Sequence, residues 1–154
     1  MKKQIRSFGF ALSGLWNAIR TEAHLRFHLV AGVWVFIFAF LGEFSLTQWA
    51  VLCLTVSAVI SAELVNTAAE DLCDLYTREQ KPEIKRIKDI SAAAVLVFAL
   101  GAVCVAVVLF ILTGNLQAGF EKLINNPVWF IPLGFLAVLS VLFVLFGGKQ
   151  KNKI

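Results

Sequence analysis

Four polar side chains, Glu63, Asn66, Glu70 and Asp74, end an otherwise apolar stretch on a spacing that selects one side of a helix. At about 100° per residue they fall within an arc of about 80°. A carboxylate placed inside a bilayer costs about 3 kcal/mol on an insertion scale, so a chain keeps one there for a partner or for chemistry. If the helix leaves the hydrocarbon near Glu70, Glu63 lies about 10 Å deeper at 1.5 Å per residue. One acid then sits at headgroup depth and the next at the water boundary. A reaction joining an interfacial hydroxyl to a cytosolic phosphate donor wants that arrangement, with a general base below and a metal-binding carboxylate above.

A second polar cluster, Lys85, Arg86, Lys88, Asp89 and Ser91, stands where the next apolar run begins. Lys88 can neutralise phosphate charge as a point cation, and Asp89 can accept from a ribose or amine or hold Lys88 in place. The small residues 91–94 let neighbouring backbones approach closely. Glu22, at the mouth of the first apolar run, could join Glu70 as an oxygen ligand for a magnesium ion that keeps water and phosphates as its other ligands.

These groups need a membrane scaffold, and the composition supplies one. Of 154 residues, 59% are hydrophobic and 16% charged, and the mean hydropathy is +0.81. That excludes an ordinary soluble domain and reads as an integral membrane protein. The pattern predicts spans over residues 28–41, 44–62, 92–113 and 128–146, the first short unless Leu25 and Phe27 extend it. Residues 5–26 mix Phe8, Phe10, Leu12, Leu15, Trp16 and Ile19 with Arg6, Arg20 and Arg26, the pattern of an amphipathic helix lying in the interface rather than of a cleavable leader. The expected fold class is therefore an all-α membrane protein, a surface helix plus a transmembrane helix bundle.

Thirteen of the fourteen Lys and Arg residues fall before the first span, between the second and third, or at the end, and Lys122 is the exception. The positive-inside rule then puts both termini and the central loop in the cytoplasm, with the chain in the plasma membrane. The net charge of +4 serves topology, anionic lipid and nucleotide phosphate, and calls for no nucleic acid.

The motif Glu63, Asn66, Thr67 and Glu70, then Asp74, then Lys88-Asp89 with Ser91, preceded by Gly9-Phe10-Ala11, Gly14-Leu15 and Asn17 to Glu22, resembles the small prokaryotic integral-membrane lipid kinases, diacylglycerol kinase and undecaprenol kinase. The resemblance covers about residues 5–113. It implies a homotrimer with sites shared between subunits, Mg²⁺ with ATP as phosphate donor, and a membrane lipid alcohol as acceptor. It further implies Glu63 as general base, Glu22 and Glu70 as metal ligands, and Asn66, Glu79, Lys88 and Asp89 near the nucleotide, with Lys3 and Phe10 at ATP-contacting positions. The upstream segment with residues 22–28 looks more like the undecaprenol-kinase branch. Ala69 stands where the family more often has Ile, a packing change. The family core needs three spans, so residues 1–113 are expected to form the kinase core, and residues 114–154 a linker, an added span and a basic tail.

Neither a P-loop nor a Gly-rich kinase loop occurs, but phosphoryl transfer asks mainly for positioned charge, a metal and a base. The competing reading is a small proton- or ion-coupled transporter, or a structural helix bundle, using the same carboxylates. Against a carrier, the acids gather toward one membrane face and no inverted repeat is visible. His24 and His28, four apart, read as interfacial packing rather than a zinc pair. Cys53, Cys73 and Cys104 read as free thiols, and Trp34, Trp49 and Trp129 as interfacial belt residues.

Overall fold

A computed structural model describes residues 2–77, 79 and 81–148, with the side chains of Lys2 and Lys3 excluded. Every regular element among them is helical, as a bilayer demands, because each backbone group in hydrocarbon must be satisfied within its own segment. The order is α1 (Lys2–Thr21), α2 (Ala23–Leu41), α3 (Leu46–Tyr76), α4 (Pro82–Ala106), α5 (Asn115–Asn125) and α6 (Phe130–Phe146). α4 continues as a π-helical stretch, Val107–Leu112, and a 3₁₀ turn, Pro127–Trp129, leads into α6. Four stretches are long and apolar enough to cross a membrane: Ala23–Leu41, Leu46–Tyr76, Pro82–Leu112 and Pro127–Phe146. The chain is an all-α, multi-pass membrane protein.

α1 leaves Ile5, Phe8, Phe10, Leu12 and Trp16 exposed, an apolar surface suited to lying in a lipid interface. It ends at Thr21 rather than at 26, because Glu22 takes an extended conformation and starts a new helix. Arg26 thereby moves from the surface helix into the first span. There it is buried, its Nη1 donating to the carbonyls of Ile19 (2.9 Å) and Arg20 (3.4 Å) and its Nε to that of Val144 (3.3 Å). The last carbonyls of a helix lack intrahelical partners, and one guanidinium answers those of both α1 and α6. Starting at Ala23 also lengthens the first span to 19 residues, which resolves its shortness.

α3 is tied at its start by a capping box, the Ser45 hydroxyl accepting from the Gln48 N–H and the Gln48 side chain accepting from the Ser45 N–H (2.7 Å). Its 31 residues run about 46 Å, well beyond a ~30 Å hydrocarbon core, so one end must stand proud of it. That end carries Glu70 and Asp74. α3 and α4 form the most extensive helix pair and are joined by a short turn, with Pro82 in the first turn of α4, where no N–H is missed. At the opposite end Ala39, Phe44, Leu52, Leu109 and Phe110 make a buried cluster, with Phe44 and Phe110 rings 4.7 Å apart and Phe36 stacked on Trp49. Aromatic packing thus locks one end of the bundle and leaves the other to polar groups.

The expected linker contains a helix. α5 follows Gly114, whose φ of 77° few other residues adopt at low cost, and lies across the end of α2. The approach is so close that a Cβ on Gly42 would meet the Asn115 carbonyl oxygen at 2.6 Å. Glu43, itself at φ 54°, pairs through Oε1 with Lys122 Nζ at 2.7 Å, and this hydrogen bond holds its carboxyl below the ordinary value. Lys122, the one basic residue outside the three clusters, is thus occupied by α5's tie to the α2–α3 turn. α6 packs on α2, where Trp34 Nε1 donates to Ser140 Oγ at 3.2 Å, so Trp34 binds helix to helix rather than serving only as a belt residue. The three cysteines are unpaired thiols.

Candidate active site

Glu63 sits on the side of α3 that faces α2 and is 4% exposed. A buried carboxylate needs a partner, and His28 of α2 supplies it, with Nε2 3.0 Å from Glu63 Oε1. The contact requires the imidazole proton on Nε2, the carboxylate being the acceptor. His28 also borders an apolar cleft of about 100 Å³ between α2, α3 and α4, walled by Gly32, Leu52, Val56, Val59 and Val105 among others. His28 therefore links the carboxylate to the edge of a space lined mainly by hydrocarbon.

One turn along α3, Asn66 Nδ2 donates to Glu70 Oε1 at 2.9 Å, the reach of an i, i+4 neighbour. The Asn66 amide oxygen is buried and has no hydrogen-bond partner among the described residues. A further turn on, Asp74 accepts from Lys88 Nζ in an ion pair that closes α3 onto the start of α4. Ser91 donates to the Lys88 carbonyl at 3.0 Å. From Glu63 to Asp74 the strip is about 16 Å long at 1.5 Å per residue, and along it the polar groups pass from buried to exposed.

Of the residues singled out by type and spacing, the fold brings Glu63, Asn66, Glu70, Asp74 and Lys88 onto one strip. Glu22 is half-buried at the α1–α2 junction, and α1 packs against α3 as well as α2. Lys88 is held by Asp74, not by Asp89, which points elsewhere as adjacent helical residues must. Glu79 lies in the α3–α4 turn, exposed and 3.3 Å from Lys81 Nζ. Phe10 is exposed on α1 with the Arg6 guanidinium 5.6 Å from its ring centre. The Lys3 side chain lies outside the described residues. Three or more His, Cys, Asp or Glu side chains do not cluster among the described residues.

The contact of His28 with Glu63 goes beyond what residue type and spacing predict. The i, i+4 spacing pairs His28 with His24 as interfacial packing, but only His28 turns inward, and His24 is exposed. The available signal was depth. Two ionisable groups in neighbouring antiparallel spans, each near the same end, are natural partners in a medium that tolerates neither alone.

The family described as prokaryotic diacylglycerol kinase matches residues 9–110. Undecaprenol kinase of Bacillus subtilis is 36% identical over 111 residues, 72% of this chain and 90% of that protein. Diacylglycerol kinase of Synechocystis sp. is 39% identical over 100 residues, 64% of this chain and 57% of its own length. Diacylglycerol kinase of Pseudomonas aeruginosa is 30% identical over 94 residues, 61% of this chain and 76% of its own. All three are named kinases and none a carrier. No solved structure matches the chain.

Proposed function

Given that this chain belongs to the prokaryotic diacylglycerol kinase family and is a lipid kinase, a phosphotransferase with an alcohol acceptor, we propose that it transfers the γ-phosphate of Mg²⁺-bound ATP to undecaprenol, with diacylglycerol the poorer acceptor. The observation that carries the reading is the buried Glu63 carboxylate at one end of a strip whose other end, the Asp74–Lys88 pair, is partly exposed. Undecaprenol is favoured by the relative that aligns over 90% of its own length and by the upstream segment.

In this reading Glu63 takes the proton of the lipid hydroxyl as its oxygen forms the new O–P bond. The bond from the γ-phosphorus to the bridging oxygen breaks, and its electron pair leaves with ADP. Lys88 offsets charge on the phosphate chain, and Asp74 keeps its ammonium in place. Asn66 sets the orientation of Glu70. Asn66, Glu79 and Asp89, with Lys3 and Phe10 of the surface helix, are assigned to the nucleotide side.

The donors available for a metal are all oxygen: the carboxylates of Glu70 and Glu22 and the unpartnered amide oxygen of Asn66. Such a set fits a hard cation, with phosphate and water completing its shell. The ion would neutralise charge developing on the transferred phosphoryl group. Changing Glu22 or Glu70 to Gln is expected to raise the Mg²⁺ concentration giving half-maximal rate by about tenfold, read by titrating Mg²⁺ at fixed ATP. An unchanged titration in both variants would mean the ion is held elsewhere.

The kinase core is assigned to residues 1–113 and an addition to residues 114–154, of which α5 packs on α2 and the π-helical stretch, and α6 packs on α2. We assign a homotrimer in the plasma membrane with both termini cytoplasmic. The deciding assay mixes purified protein, Mg²⁺ and γ-labelled ATP with each lipid in mixed micelles. Label should move to undecaprenol with the higher kcat/KM and to diacylglycerol more slowly. A preference for diacylglycerol would reverse the substrate assignment, and label on neither, from folded protein, would defeat the reading.

A further inference from the structure

We propose that His28 is a positioning residue for the transfer step, its Nε2–H holding the Glu63 carboxylate in the orientation that presents the other oxygen to the lipid hydroxyl. This rests on the reading of Glu63 as the base. A Glu side chain has three rotatable bonds, and its terminal torsion is broad, so burial alone does not orient its oxygens. Here one oxygen, Oε1, is engaged by imidazole at 3.0 Å. Phe27, its neighbour on α2, meets the imidazole edge-to-face with ring centres 5.6 Å apart. Both partners ride on spans, so the pair inherits the rigidity of two packed helices rather than of a loop. His28 also forms part of the wall of the apolar cleft between α2, α3 and α4. The same side chain thus borders the space open to a lipid and the group that would deprotonate it.

Among the described residues, the polar groups named along the strip and at the start of α2 are engaged elsewhere. Asn66 engages Glu70, Lys88 engages Asp74, and Arg26 is committed to backbone carbonyls. Between Ile90 and Leu112, α4 carries no titratable residue except Cys104. The hydrogen bond from His28 is therefore the feature that defines which Glu63 oxygen is free.

The test uses reach. Gln can place an N–H donor where Nε2 stands, whereas Asn, equally polar, is one methylene too short. His28→Asn and His28→Ala are expected to lower kcat by about tenfold to 10²-fold with the KM for ATP unchanged, because a misoriented base costs rate rather than nucleotide binding. His28→Gln should recover most of that loss. In a Glu63→Gln background, His28→Asn should cost little more, since two groups acting as one unit are not additive. If His28→Ala fails to insert, the Gln and Asn pair still decides. Equal rates for those two variants would overturn the proposal, as would an undiminished loss in the Glu63→Gln background. Full activity of Glu63→Gln alone would instead defeat the reading of Glu63 as base, a separate outcome.

Discussion

Glu63→Gln is expected to lower kcat by about 10²-fold or more while the KM for ATP stays near its parental value. The substitution preserves volume and can still meet His28 through its amide oxygen, so the helix contact persists and only the proton acceptor is lost. Nucleotide binding is unaffected because the phosphate-binding groups lie a few turns away, at Lys88 and the α3–α4 end. The change also removes a charge from a buried site, where an ionised group is costly. The variant should therefore be no less stable than the parent in detergent, which separates lost chemistry from lost fold. Single-turnover transfer to undecaprenol, with thermal unfolding of the same preparation, checks both parts. Near-parental turnover would remove Glu63 from the reaction.

Lys88→Met is expected to raise the KM for ATP by about tenfold or more with a smaller effect on kcat. An ammonium has three donors, so Lys88 can keep Asp74 and still reach a phosphate oxygen. Met retains the unbranched stem that packs at the start of α4 and loses only the charge. The Asp74 side chain is 54% exposed, so losing its partner should cost the fold little, as for most exposed pairs. Asp74→Asn should weaken ATP in the same direction but less, because Lys88 then keeps its charge and loses only its fixed position. Initial rates against ATP at saturating lipid and Mg²⁺ measure both, and an unchanged KM in Lys88→Met would move the phosphate site away from α4.

Much of the scaffold was readable from local pattern. Apolar run length identifies the four spans, and the bilayer's demand for internal hydrogen bonding makes each a helix. Once α3 is a helix, its 3.6-residue period places Glu63, Asn66, Glu70 and Asp74 on one side without any tertiary information. Leu116, Gly119, Phe120 and Leu123 follow the helical spacing of α5, although its place between two apolar runs suggests a linker.

What only the tertiary structure decided is which side chains meet across helices. His28 meets Glu63 because α2 and α3 pack at one particular rotation and depth, and a period along a single chain says nothing of the rotation of its neighbour. Lys88 finds Asp74, 14 residues back in sequence, rather than adjacent Asp89, because the α3–α4 turn brings those helix ends together while consecutive helical residues diverge. Arg26 changes from an interfacial charge to a buried cap because α1 ends at Thr21, and the far end of α6 arrives at the same guanidinium from 118 residues away. The sequence by itself determined that this is a membrane helix bundle carrying a face of acids, since hydrophobicity and helical period are local properties. Packing determined which acid is partnered, by whom and how deep, since those are properties of two helices at once.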